Sequence, residues 1–305
     1  MGPSVLLPRL QILAAAALFS TGGAAIKATS LSVWQVASFR SGVAAVILAL
    51  VFLRRRSSGS ANLRVTPRIL AVGLAYAVAL CSYVVANKLT TAAATIFLVS
   101  TSFLWVLLLS PRWLGEELKK RDLGLIAALA AGMALVFASP GTAVETAANP
   151  RLGNWVAAGS GFAWALTVIG LRLLGRSEAD ETAGASASAG YAVVWGNALA
   201  FVLVLPLALP VATVTASDVG AVLFLGVIQI ALAYVLLLAG LRHVSALEAS
   251  LLLVLEPVLN PLWAWLLHSE VPTAATLVGG VLIVIALAFH SSLAVRRGPS
   301  ASGGQ

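Results

Sequence analysis

The sequence predicts an all-α membrane protein of ten transmembrane helices, arranged as two inverted five-helix repeats. Three observations carry that prediction. Of the 305 residues, 60% are hydrophobic and only 10% charged, where soluble domains carry about 25% charged residues. No water-soluble fold of this size hides so much apolar surface. The apolar residues fall in runs close to the roughly 20 residues that cross a bilayer. Finally, the order of features in the first half returns in the second.

The runs are Leu10–Ala28, Val33–Leu53, Ile69–Ala86, Thr90–Leu109 and Leu123–Ser139, then Leu152–Leu173, Ala187–Leu209, Val219–Leu241, Ala246–Leu267 and Thr273–Leu293. The first, with Arg9 before it, also has the outline of a cleaved signal peptide, but later runs echo it and it is read as a retained helix. Most linkers are a few residues long, so neighbouring helices run antiparallel. The chain divides into a first repeat over 1–140, a second over 151–294 and a Gly/Ser-rich tail over 295–305, expected to be disordered and cytoplasmic. The loop Pro140–Pro150 separates the repeats.

The net charge of +8 raises the question of nucleic acid, but the basic residues are spread through short gaps between apolar runs and do not gather on one face or in one tail. With the amino terminus in the cytoplasm, fifteen basic residues face inward: Arg9, Arg54, Arg55, Arg56, Arg64, Arg68, Arg112, Lys119, Lys120, Arg121, Arg172, Arg176, Arg242, Arg296 and Arg297. Only Lys27, Lys88 and Arg151 fall outside, and Arg40 lies within a helix. This bias sets orientation. It predicts a multi-pass protein of a bacterial inner membrane with both termini cytoplasmic, embedded in lipid, with no nucleic-acid partner. The single cysteine, Cys81, is in an apolar run and reads as a small buried hydrophobe. No Cys/His metal spacing exists, and no metal or cofactor is expected.

The repeat is clearest from Tyr83 to Phe137 and from Tyr234 to Phe289. Both begin Tyr-Val, pass a basic residue (Lys88; Arg242) and Ser/Thr-Ala (Thr91-Ala92; Ser245-Ala246), and cross a long apolar run. A turn with a glutamate (Glu116; Glu270) and a Gly-bearing helix follow. Five helices per repeat is an odd number, so the second repeat enters the membrane from the opposite side.

With these features the chain resembles an EamA-type member of the drug/metabolite transporter superfamily. The resemblance rests on Lys27 ending helix 1, on Arg40 in the run ASFRSG, and on Ala249-Ser250. It rests further on Leu255-Glu256-Pro257-Val258, and on Glu270 before a Pro-led Gly-rich helix. The chain departs from the pattern at Gln35, where many relatives have proline, and at Pro111, placed later than the proline of helix 9. The resemblance covers nearly the whole chain. It implies ten helices, cytoplasmic termini, a central cavity between the halves, and a small-molecule substrate drawn from amino acids, nucleoside-type metabolites and drugs.

Glu256 is the sharpest candidate. It lies about ten residues, roughly 15 Å, into helix 9 and so near the bilayer midplane, where a carboxylate needs a partner, water or a proton. Pro257 and Pro261 each remove a backbone donor and free a carbonyl about one turn earlier; such breaks survive where protein or a wet cavity satisfies the backbone. Asn260 shares the face of Glu256, and Arg40 on helix 2 is the natural partner for the carboxylate. Ser245 and Glu248 fit a capping box at the start of helix 9. Lys27 reads as a cation snorkelling to the headgroups, or as a contact for a substrate carboxylate. Helices 1 and 6 carry matched small-residue interruptions, Ser20-Thr21-Gly22-Gly23 and Gly159-Ser160-Gly161. Such matched breaks point to a binding site or to close packing. Tyr83, Trp164 and Tyr234 are mid-membrane aromatics. Thr95 and Gln229, with Ser100, Thr167 and Asn197, are mid-span polar residues. The set expected to line a substrate site is therefore Thr21, Tyr83, Thr95, Trp164, Gln229, Tyr234, Glu256 and Asn260. Lys27, Arg40, Pro257 and Pro261 are expected in structural or coupling roles.

Inverted repeats with broken helices suit a carrier that works by alternating access. The expectation is a secondary transporter exporting small metabolites such as amino acids, as a monomer or homodimer, and not an enzyme. A membrane-embedded enzyme would need a cluster of acids or histidines at one face, whereas His243, His268 and His290 are dispersed. A non-transporting scaffold is the remaining alternative.

Overall fold

The computed structural model describes residues 6–56, 65–139, 141–142, 144–177, 182–211, 213–241, 243–244 and 246–296. Among them the secondary structure is helical, with one isolated antiparallel bridge between Val144 and Ala147. The first repeat contains α1 (α1a, Leu6–Ser20, and α1b, Gly22–Lys27), α2 (Val33–Arg56), α3 (Pro67–Leu89), α4 (α4a, Ala92–Ser100, and α4b, Ser102–Trp113) and α5 (Lys120–Ala138). The second contains α6 (Pro150–Ser177), α7 (Thr182–Ala208), α8 (Ala216–Leu241), α9 (α9a, Ala246–Leu253, and α9b, Leu255–His268) and α10 (Ala274–Arg296). Nine of these helices have apolar segments long enough to cross a membrane; the apolar part of α5, Asp122–Ala138, is shorter. The expectations for the Ser245 cap and for the tail beyond residue 296 fall outside the described residues.

Local chemistry explains the helix starts. Thr66 accepts from the Ile69 amide at 3.2 Å, and Pro67 follows it, a pairing suited to a first turn whose amides lack helical partners. Thr91 accepts from Ala94 N at 3.1 Å, so α4 begins at Ala92 and not at Thr90. Thr215 and Asp218 form a reciprocal capping box that starts α8 ahead of its apolar run. α2, α6 and α10 run past their apolar stretches, to Arg56, Ser177 and Arg296.

The packing repeats about a pseudo-two-fold relation that exchanges the halves. α3 packs on α6 as α8 packs on α1, α4a on α6 as α9 on α1, while α2 pairs with its counterpart α7 and α5 with α10. The α5–α10 pair touches through glycines. A Cβ on Gly279 would lie 2.5 Å from the Gly132 carbonyl oxygen, and one on Gly132 would lie 2.8 Å from that of Gly279. Small residues at such crossings let backbones meet where lipid offers no hydrophobic drive for helix association.

Four rods are irregular mid-span: α1 at Thr21, α4 at Thr101, α9 at Val254, and α8, which widens to a π-helix over Phe224–Leu232. The expected matching break in α6 is absent, because α6 runs unbroken from Pro150 to Ser177. Its glycine serves packing instead: a Cβ on Gly161 would lie 2.9 Å from the Leu98 carbonyl oxygen of α4a. The interruption that matches across the repeats is in α4 and α9.

Candidate functional site

The centre of the molecule is built on the break in α1. Ser20 and Thr21 turn their hydroxyls back to the carbonyls of Ala17 and Leu18, at 2.6 and 2.7 Å. Such back-bonding competes with the helix ladder and bends it. α1b then opens with Gly22 and Gly23, and polar side chains crowd onto them. A Cβ on Gly22 would stand 2.9 Å from Gln229 Nε2 and 3.5 Å from the Tyr83 hydroxyl. One on Gly23 would stand 2.9 Å from Asn87 Oδ1 and 3.1 Å from Asn260 Oδ1. At Gly23 a Cβ would also meet that of Ala92 at 2.9 Å, whereas at Gly22 the contact under 3 Å is with the movable end of Gln229.

The cluster joins both repeats. Asn260 Nδ2 donates to the Tyr83 hydroxyl at 3.3 Å, Asn87 Nδ2 to the Tyr83 carbonyl at 2.9 Å, and Gln229 Nε2 to the Phe19 carbonyl at 3.4 Å. Trp263 Nε1 donates to Ser20 at 2.9 Å. The oxygens of all three amides, Asn87, Gln229 and Asn260, are buried without a hydrogen-bond donor. The π-helical stretch of α8 carries Gln229 into this group; such bulges recur where a helix must aim a functional side chain.

Glu256 occupies the first turn of α9b, just past the break at Val254. The positive end of a helix dipole favours a carboxylate there. Pro257, in the same turn, loses an amide that would have had no helical partner, which is why the helix breaks before it. Pro261 lies within α9b. Tyr83 and Tyr234 are in electrostatic reach of Glu256, and Tyr83 is also in reach of Arg40. The Arg40 guanidinium is buried, donates from Nη2 to the Leu80 carbonyl at 3.0 Å, and lies with Cζ 6.0 Å from the Tyr83 ring centroid; its Nε has no acceptor. The expected direct pairing of Arg40 with Glu256 is not formed. Among the described residues neither makes an ion pair.

The other expected residues form two clusters, with Thr95 in neither. Thr21, Tyr83, Gln229 and Asn260 meet around Gly22–Gly23. Trp164 and Tyr234 instead share an aromatic cluster with Tyr76 and Phe19, with ring centroids 5.2 to 5.9 Å apart. Thr95 is buried on α4a, its hydroxyl without a partner. Thr167, Asn197 and Ser100 bond to carbonyls of their own helices. Glu248 pairs with Arg9 at 2.5 Å.

Lys27 overturns the expectation that it snorkels. Its ammonium is buried in an ion pair with Glu270 at 3.0 Å, the two side chains 2% and 3% exposed. Lys27 also donates to the carbonyls of Thr90, at 2.9 Å, and Thr146. Glu270 reaches this place because Ser269 ends α9b in the left-handed region, φ 52°, which turns the chain back on itself. Its other oxygen accepts from the Ala92 amide at the start of α4a, at 2.5 Å. Beside the pair opens a cavity of 460 Å³ lined by Thr91, Glu145, His268, Glu270 and Thr273 among others.

Sequence reasoning missed Asn87 and the role of Glu270. Asn87 lies one helical turn from Tyr83, on the same face, just beyond the predicted end of its span. Glu270 was visible as a turn marker, but its partner Lys27 belongs to the first helix of the other repeat.

The sequence profile of the EamA-like transporter family matches this chain twice, over residues 7–138 and 151–292. The pseudopaline exporter CntI of Pseudomonas aeruginosa, in each of two strains, is 29% identical over 273 residues, covering 88% of this chain and 90% of the exporter. A solved crystal structure superposes with a TM-score of 0.65 over 98% of this chain and all of its own, at 21% identity, and so shares the fold.

Proposed function

The chain belongs to the EamA-like transporter family, and from that premise we propose that this multi-pass membrane transporter exports amino-acid-like metabolites by alternating access. The observation that carries the substrate class is the pair of unsatisfied charges. Arg40 and Glu256 lie near Tyr83, on α2 and α9b, and neither has an ion-pair partner among the described residues. Charges inside a membrane protein are costly and are kept where something pairs with them. A solute bearing both a carboxylate and an ammonium group satisfies both: its carboxylate meets Arg40, its ammonium meets Glu256. The unpartnered oxygens of Asn87, Gln229 and Asn260 accept further N–H groups.

In this reading α5 supplies the tenth span, the repeats are inverted, and both termini face the cytoplasm of a bacterium, with Lys27 and Glu270 at the outer side of the inner membrane. Thr95, Trp164 and Tyr234 line the path of the solute, while Pro257 and Pro261 hold the break that presents Glu256. The export direction follows the relative, an exporter by name.

Thermal unfolding of the purified protein with a ligand panel tests the substrate class, because a ligand that binds only the folded state raises the midpoint by mass action. Amino acids and their N-substituted derivatives are expected to raise it. Matched simple amines and simple carboxylates are expected to shift it less. Equal shifts across all three classes would remove the two-charge reading.

A further inference from the structure

The outer pair Lys27–Glu270 has a counterpart in the other repeat. Glu116 stands as far before the end of the first family match, at residue 138, as Glu270 stands before the end of the second, at residue 292. Measured from the starts of the two matches, at residues 7 and 151, Lys27 and Arg172 correspond to within a single position. Arg172 and Glu116 are themselves ion-paired, at 3.1 Å. The pseudo-two-fold relation therefore carries one pair onto the other, and it carries them to opposite ends of the bundle.

The two pairs differ in one property. Lys27 and Glu270 are 2% and 3% exposed, whereas Arg172 and Glu116 are 49% and 41% exposed. One pair is closed off from solvent, while the other stands open to it. We propose that these two ion pairs are equivalent latches of the transport cycle, each buried when its own end is shut, so that burial passes from Lys27–Glu270 to Arg172–Glu116 as access alternates. The inference rests on the alternating-access reading given above.

The surroundings of Lys27 fit a latch. It ends α1b, a short segment set off from α1a by the break at Thr21. Its side-chain ties among the described residues are Lys27 to Glu270, Thr90 and Thr146, and His268 Nε2 to the Ala24 carbonyl at 2.8 Å, beside the apolar packing of Ile26. Gly23, against which Asn87 and Asn260 pack, lies one turn below Lys27 on the same segment. His268 and Glu270 also line the 460 Å³ cavity beyond the pair. Releasing Lys27 would swing α1b about Thr21 and join the central amides to that cavity.

A reporter cysteine tests the proposal without any transported solute, so its failure is separate from failure of the substrate assignment. Ala24 is 1% exposed. Ala24→Cys, in a Cys81→Ala background, is labelled with a hydrophilic maleimide in lipid nanodiscs, where both faces are wet. Removing both charges of the buried pair, Lys27→Gln with Glu270→Gln, is expected to speed labelling by about tenfold or more, as the shut state loses its bond. Removing both charges of the exposed pair, Arg172→Gln with Glu116→Gln, is expected to slow it, because the opposite state loses its latch. The exposed pair contributes little to folding, so that arm remains readable if the buried double variant fails to fold. Opposite responses support the two-latch scheme. An unchanged rate in either folded variant, or acceleration in both, overturns it.

Discussion

Asn260 Nδ2 donates to the hydroxyl of Tyr83 at 3.3 Å, tying α9b of the second repeat to α3 of the first at the break in α1. The bond uses only the donor side of the amide; the Asn260 oxygen, like those of Asn87 and Gln229, is buried without a donor. A buried acceptor left unpaired costs about 1–3 kcal/mol. Three together form a site whose hydrogen bonding a donor-bearing solute would complete.

Replacing Asn260 with leucine removes one of these unpaired oxygens along with the bond to Tyr83. Thermal stability is expected to hold or rise slightly. Solute exchange is expected to fall by about tenfold, equivalent to about 1.4 kcal/mol. Parallel unfolding and exchange measurements check this; a loss of stability with exchange retained would make Asn260 a packing residue.

The two glycines of α1b are expected to differ. A Cβ on Gly22 meets the far end of the flexible Gln229 side chain, whereas one on Gly23 also meets the Cβ of Ala92, at 2.9 Å. Gly22→Ala should therefore be tolerated in the fold, with its effect on affinity. Gly23→Ala should cost about 1–3 kcal/mol of stability, as overpacking does. Denaturation of the purified variants measures the difference.

Arg40→Met tests whether the buried guanidinium is kept for binding. Its only hydrogen bond among the described residues is to the Leu80 carbonyl, and its Nε has no acceptor. Well-packed apolar replacements of buried charges are often neutral or stabilising. The variant is expected to fold at least as well as the parent and to lose the stabilisation given by carboxylate-bearing solutes. Glu256→Gln should likewise fold, keep response to simple carboxylates and lose discrimination in favour of ammonium-bearing ones. Ligand-dependent unfolding midpoints of the two variants check both.

Lys27→Met leaves the Glu270 carboxylate buried and uncompensated, which costs about 3–5 kcal/mol. Combining it with Glu270→Leu is expected to restore most of that loss. A double variant no more stable than the single would show that Glu270 is held chiefly by the Ala92 amide.

At the α5–α10 crossing, Gly279→Val places side-chain atoms where the Gly132 carbonyl oxygen would lie 2.5 Å from the Cβ. The helices must separate, and a loss of about 1–3 kcal/mol is expected, read as lower detergent stability.

Much of the architecture is legible in the sequence because membrane insertion writes itself into composition: the apolar runs and the matched turns at Glu116 and Glu270 mark the helices and the two repeats. Helix ends were read short in α2, α6 and α10, which run past their apolar stretches. Breaks were harder, since hydropathy is blind to them. Pro257 marks the one in α9, but Thr101, between Ser100 and Ser102, and the π-stretch around Gln229 lie within runs apolar enough overall to read as continuous spans, and Gly161 marks close packing, one of its two readings. At the site, Glu256, Asn260, Tyr83 and Gln229 stood out as polar groups in apolar runs. Their partners did not, because a hydrogen bond such as that of Asn260 to Tyr83 joins groups from different repeats. Lys27 was misread for the same reason: a cation at a helix end resembles a snorkelling one until its distant carboxylate is found.

The most direct test of transport itself is counterflow in proteoliposomes. Vesicles holding the purified protein and loaded with an unlabelled solute are given a trace of the same solute labelled outside, with a panel of amino acids and N-substituted amino acids tried in turn. Transient accumulation of at least one solute bearing both a carboxylate and an ammonium group, abolished in Arg40→Met, is the predicted result. Intact, correctly folded protein that exchanges none of the panel would contradict the account.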